Sequence, residues 1–143
     1  MEEKKTPRDI SEIKILLVDD ESDFLDPMAY WLKSKGYQTL TAAGGEEALE
    51  QLKEQSVDIV FLDINMAGLD GIQTLRKIRE ELKIDVPVIM VTAYGTKDRL
   101  IEAEKLGISG FFPKEDGFEK ASVLIQTVLR LHKNLKIDEK ENS

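Results

Sequence analysis

"IVFLDINMAGLDG", residues 59 to 71, runs four apolar side chains straight into the carboxylate of Asp63, with Asp70 and Gly71 close behind. An unbroken apolar run belongs to a strand covered on both faces, the pattern of parallel sheets clothed by helices. An acid at the exit of such a strand is ordinarily a turn former or a helix cap. What more it does depends on what the other strands place at the same end.

Working outward, the run begins within "VDIVFL" (57–62) and has counterparts in "IKILLV" (13–18), "VPVIMV" (86–91) and the shorter "ISGFF" (108–112). "YQTLTA" (37–42) alternates and reads as a half-exposed strand. Helical stripes lie between them. Phe24, Met28, Trp31 and Leu32 share one face of a helix that stops at Gly36. Gly44 and Gly45 open a helix reaching about Glu54, and Ile72, Leu75, Ile78 and Leu82 form the next stripe. Leu100, Ala103 and Leu106 face inward from a helix starting near Lys97, and Ala121, Leu124, Ile125, Val128 and Leu131 from the last one. Pro27 conflicts with the first stripe, because an interior proline costs about 3 kcal/mol. That helix is therefore expected to start under a cap from Asp26, or with an irregular first turn.

The order is strand then helix, about five times, with short connections. It implies parallel strands, right-handed crossovers and an α/β doubly wound five-stranded sheet with helices on both faces. The second strand is the most polar and suits an edge. That favours the flavodoxin-like order 2-1-3-4-5, whose switch point falls between strands 1 and 3. Residues 1–12 are polar without period and read as a flexible N-terminal arm. Residues 13–132 form the one domain, and 133–143 a charged C-terminal tail.

Bulk composition narrows the function classes. The formal charge of -8, from 20 basic and 28 acidic side chains, opposes direct binding to nucleic acid or to an anionic membrane. The chain has no cysteine, which excludes disulfides, thiol chemistry and thiolate metal sites. No apolar run approaches the roughly 20 residues of a membrane span. "MEEKKTPRDISE" lacks the apolar core of a signal peptide, so a cytoplasmic location is expected.

Open parallel sheets bind ligands beyond the carboxyl ends of their strands. Strand 1 delivers Asp19 and Asp20 there, strand 3 Asp63, strand 4 Thr92 and strand 5 Lys114, while the edge strand delivers only Ala42 and Ala43. Each has an ordinary reading: Asp19 and Asp20 as charges at a helix N-terminus, Asp63 as a turn residue, Thr92 as a polar strand residue, Lys114 as a solvated lysine. Four strands agreeing by accident is the weaker account. Three carboxylates in one crevice repel, so some must protonate or bind a cation. Oxygen-only ligands without His or Cys suit Mg²⁺ or another hard divalent ion, commonly beside a phosphate. A carboxylate, a cation, a hydroxyl and a metal together describe phosphoryl transfer to Asp63.

"ILLVDDE", "IVFLDINMAGLDG", "VIMVTAYG" and "GISGFFPK" resemble the response-regulator receiver domain of two-component signalling, over roughly residues 13 to 132. The resemblance implies that Asp63 is the phosphoacceptor. It implies that Asp19 and Asp20 bind Mg²⁺ (or Mn²⁺) with Asp63 and the backbone carbonyl of Asn65, Asp20 being the more direct ligand of the pair. Thr92 matches the hydroxyl that contacts the phosphoryl group and shifts on activation. Lys114 matches the lysine that pairs with that group, and Phe111 the switch aromatic. The implied donor is a sensor histidine kinase or a histidine phosphotransfer protein, and the receiver assists its own phosphorylation and dephosphorylation as a signalling domain. The implied output is an unknown downstream protein, met by the surface of helix 4, strand 5 and helix 5.

Several positions depart from the family pattern. Met66 is followed by Ala67 where the family usually has proline, which loosens that loop. Lys114 is followed by Glu115 instead of proline, so a trans bond is expected there, since cis costs about 2.5–4 kcal/mol without proline. Phe111 has no hydroxyl to stabilise switching. Tyr94, two residues after Thr92, is expected to shield the site and slow self-dephosphorylation; Tyr94→Ala should then dephosphorylate faster. The single histidine, His132, ends the last helix and is assigned no role. A haloacid-dehalogenase-type enzyme would need an acid where Asn65 stands. A flavodoxin-like cofactor binder would need a glycine- and hydroxyl-rich loop where "DDESD" stands. A receiver fold serving only as an interaction module is the remaining alternative.

Overall fold

The computed structural model describes residues 9–93 and 97–132. Five parallel strands alternate with five α-helices: β1 (Lys14–Val18), α1 (Ser22–Ser34), β2 (Gln38–Ala42), α2 (Gly45–Glu54), β3 (Ile59–Asp63), α3 (Gly71–Glu80), β4 (Val88–Thr92), α4 (Lys97–Lys105), β5 (Gly110–Pro113) and α5 (Phe118–His132). The strands lie in the order β2-β1-β3-β4-β5, so the doubly wound, flavodoxin-like sheet is the one its apolar runs dictate.

The sheet separates two apolar layers. On one side Met28 and Leu32 of α1 and Ile125, Val128 and Leu129 of α5 pack on Ile15, Phe61 and Phe112. On the other, Leu52 of α2, Leu75 and Ile78 of α3 and Ala103 of α4 pack on Leu16, Leu62 and Met90. Every residue of β3 and β4 is buried, as strands with helices on both faces require. β2 is one edge, as expected, and only Ala42 of it is buried, though its side chains do not strictly alternate.

β3, β4 and β5 each end one residue later than their apolar runs suggest. In-register pairing of Asp63 with Val91 and of Thr92 with Pro113 carries the ladder into the polar residues. Three expectations are corrected. Residues 9–12 do not belong to a flexible arm: Ile10–Glu12 form a 3-10 turn, and Ile10 is buried beside Gly36. Asp26 is not a cap, because α1 begins at Ser22 and contains Pro27. The start is fixed earlier, by the Glu21 N–H donating to Asp19 and the Glu21 carbonyl accepting from Phe24 and Leu25. Leu131 is 79% exposed and Leu129 takes the inward place. Six residues beyond Ile125, Leu131 lies about 240° further round the helix. Residues 1–8 of the expected arm and the tail 133–143 lie outside the described residues. Among the described residues no helix is long and apolar enough to cross a membrane.

Candidate functional site

The carboxyl ends of β1, β3, β4 and β5 face one crevice. β1 hands the chain to Asp19, whose N–H bonds the Ala42 carbonyl at 3.1 Å and prolongs the ladder before α1 turns away. This leaves the Asp19 carboxylate buried, with Oδ1 accepting the Glu21 N–H at 2.8 Å. Asp20 is exposed and accepts the Ala67 N–H at 2.9 Å, tying the β1–α1 loop to the β3–α3 loop. Asp63 is the last residue of β3 and is buried. Carboxylate oxygens of Asp19, Asp20 and Asp63 all lie within 4.8 Å of one another, a group that could hold a metal ion.

The loop that carries Asp63 is set by close packing. A Cβ on Gly71 would stand 2.1 Å from the Asp63 carbonyl oxygen and 2.7 Å from the Ile64 Cα, so only glycine lets α3 start there. Asp70 caps that helix through a reciprocal pair with Gln73.

Lys114 follows β5, and its N–H donates to the Thr92 carbonyl at 2.8 Å. Its ammonium reaches Glu21 at 2.7 Å, Asp19 at 3.0 Å and Asp63 at 3.5 Å. The contact with Asp19 Oδ2 is an ion pair rather than an aligned hydrogen bond, so that buried oxygen has no hydrogen-bond donor directed at it. Burial, then the neighbouring Asp19 charge, pushes the Asp63 carboxyl up to about 7. Lys114 and the Asn65 N–H act against that rise without cancelling it. Burial raises the Asp19 carboxyl as well, more than the Glu21 N–H and Lys114 lower it. Burial works to lower the Lys114 ammonium, but its contacts with Glu21 and Asp19 and the Asp63 charge outweigh this and hold it above its ordinary value.

Thr92, nearly buried, ends β4 next to this cluster. Asn65 lies in the loop two residues past Asp63, and its side chain is exposed. Phe111 does not join the cluster: it is 43% exposed, while the next residue, Phe112, is buried edge-on to Phe61 at 6.2 Å. No cis peptide bond occurs among the described residues, so the Lys114–Glu115 bond is trans as expected. Tyr94 lies outside the described residues.

Three neighbours escape sequence reading. Glu21 is the nearest partner of Lys114 and hides in the acidic run "DDESD". Phe24 places its ring 5.0 Å from the Lys114 ammonium yet sits in an ordinary core stripe. Arg99 reaches from α4 to Asp70 at 2.8 Å and Asn65 at 3.4 Å, lining the cleft with Asp20 and Met66. No motif marks Arg99, because only helix packing brings α4 there.

A family model described as the response regulator receiver domain matches residues 15–128. The transcriptional regulatory protein ZraR of Escherichia coli (strain K12) is 35% identical over 117 residues, covering 82% of this chain and 26% of that protein. The alkaline phosphatase synthesis transcriptional regulatory protein PhoP of Bacillus subtilis is 31% identical, covering 82% of this chain and 48% of that protein. The chain thus spans half or less of these relatives. A response regulator receiver domain protein from Clostridium thermocellum superposes with a TM-score of 0.78 at 31% identity, over 85% of this chain and 98% of that one. The chemotaxis protein CheY4 of Vibrio cholerae superposes at 0.76 with 26% identity, over 81% and 98%. With the family model covering nearly the whole described fold and relatives above 30% identity beside it, the chain belongs to the response regulator receiver domains of two-component systems.

Proposed function

We propose that this receiver accepts a phosphoryl group on Asp63 from the phosphohistidine of a sensor histidine kinase or a histidine phosphotransfer protein in the cytoplasm. One observation carries the reading: a buried carboxylate at a strand end, within ion-pairing distance of one lysine and beside two further carboxylates. An Asp63 oxygen attacks phosphorus; the O–P bond forms as the N–P bond breaks, and the electron pair returns to the donor imidazole, which takes up a proton. Lys114 balances charge on the transferred group, and the Thr92 hydroxyl donates to another of its oxygens.

The residues present fit a hard divalent ion. All donors are oxygen, and the buried Asp19 Oδ2 has no aligned donor of its own. Asp19, Asp20, Asp63 and the Asn65 carbonyl would hold Mg²⁺ or Mn²⁺. Such an ion supplies charge neutralisation for the carboxylates and the phosphoryl oxygens. The protein acts as a signalling switch that modifies itself. The output is the face of α4, β5 and α5, where Ile101, Phe111 and Val123 are exposed, toward an unidentified downstream protein.

Intact mass after incubation with acetyl phosphate, with and without Mg²⁺, tests the reading. One Mg²⁺-dependent phosphoryl addition is expected in the wild type and none in Asp63→Ala. Addition that persists in Asp63→Ala, or none even from a histidine kinase donor, would overturn it.

A further inference from the structure

Lys114 depends on its side-chain surroundings for its aim. Among the described residues its backbone N–H donates to Thr92; Pro113 precedes it in the ladder, and Glu115, which lacks a ring, follows it. The ammonium contacts three carboxylates. One of them, Glu21, is 65% exposed and makes the shortest contact, at 2.7 Å. The other two, Asp19 at 3.0 Å and Asp63 at 3.5 Å, are buried.

Phe24 adds a contact of another kind. Its ring centroid is 5.0 Å from the ammonium, within cation–π range, where the negative face of the ring attracts the charge. The ring is itself fixed. Phe118, the first residue of α5, meets it edge-on at 6.2 Å, and Trp31 packs on Phe118 at 5.9 Å. A chain of aromatics from α1 and α5 therefore ends at the lysine of the site. Leucine in place of Phe24 would satisfy the apolar layer but offer no face to a cation.

We propose that Phe24 is a positioning residue for Lys114, fixing its ammonium beside Asp63 through the face of its ring. The inference rests on the phosphoacceptor reading of Asp63. It predicts that the ring contributes to the rate of transfer and not to the binding of the donor.

Rates of phosphoryl addition from acetyl phosphate with Mg²⁺ test this in wild type, Phe24→Leu, Phe24→Tyr and Phe24→Trp. Phe24→Leu should react about three- to tenfold more slowly at saturating donor, the range expected of a partly desolvated cation–π contact. The donor concentration for half-maximal rate should stay unchanged, and Phe24→Tyr should recover the wild-type rate. Phe24→Leu at the wild-type rate, or Phe24→Tyr as slow as Phe24→Leu, overturns the proposal. A second measurement needs no variant to fold. In the wild type, proton resonances of the Lys114 ε-methylene should be shifted upfield by the ring current of Phe24, and ordinary positions for them overturn the proposal too. If the wild type accepts no phosphoryl group even from a histidine kinase donor, the phosphoacceptor reading fails, while the ring-current shift still reports whether Phe24 holds the lysine.

Discussion

At the scale of the residue, Asp63 and Asp19 are carboxylates buried side by side, and the metal-free fold should register it. Asp63 titrates near 7 when folded and near 3.8 when not. A raised pKa means that the folded state holds the proton more tightly. Its contribution is then fully present below about pH 4 and is lost as pH rises through about 7. Unfolding by urea in a chelator should show this component weakening between those limits, with the raised carboxyl of Asp19 acting in the same direction. Asp63→Asn should remove much of the slope and stand about 1–3 kcal/mol more stable than wild type at pH 8. Equal stability at that pH would mean that water or Lys114 already compensates the charge. Mg²⁺ should raise the melting temperature of the wild type and scarcely move that of Asp20→Asn, since a ligand stabilises only the state that binds it. Asp19, Asp20, Asp63 and Lys114 were legible because each follows an apolar run whose direction is fixed by the parallel fold. Glu21 and Phe24 were not, because their roles come from where the lysine side chain ends, which no spacing along the chain encodes.

At the scale of the element, α4 is attached to α3 by arginines. Arg79 of α3 donates to the carbonyls of Leu106 at 3.1 Å and Gly107 at 2.7 Å just past α4, and to Ile84 at 2.8 Å before β4. Arg76 pairs with Glu102, and Arg99 with Asp70. The exposed pairs contribute little, whereas Arg79 satisfies three carbonyls from a half-buried position. Arg79→Met keeps the stem and removes the donors, so it should cost about 2–3 kcal/mol in a urea titration. Amide exchange should quicken first in residues 104–109, and uniform quickening across the sheet would count against a local staple. Gly71→Ala tests the other end of α3. Its Cβ must displace the Asp63 carbonyl, so at least about 2 kcal/mol should be lost, with weaker Mg²⁺ binding. The helices themselves were legible from their stripes. The start of α1 was not, since Pro27 signals a boundary that backbone bonds around Glu21 override.

At the scale of the whole molecule, the sheet order that buries β3 also decides what a change at Asp63 can reach. β3 is flanked by β1 and β4, and β4 by β5, so Asp63 pairs with Lys114 just past β5 and its loop meets Arg99 of α4 at Asn65, while β1 stands between Asp63 and β2. The two apolar layers on either side of the sheet are close-packed and shift between discrete arrangements more readily than they deform. A phosphoryl group on Asp63 would therefore bias an equilibrium between two packings of β4, α4 and β5, in proportion to how much better one of them binds it. Amide exchange compared before and after phosphorylation should change along residues 97–113 and around Phe111, with α2 and β2 nearly unchanged. Phe111→Ala should leave the rate of phosphoryl addition intact while reducing the response of α4, because Phe111 lies outside the carboxylate cluster yet is exposed on the strand that leads to Lys114. Equal changes on both edges of the sheet would mean that the signal leaves through the global stability of the fold and not through this face.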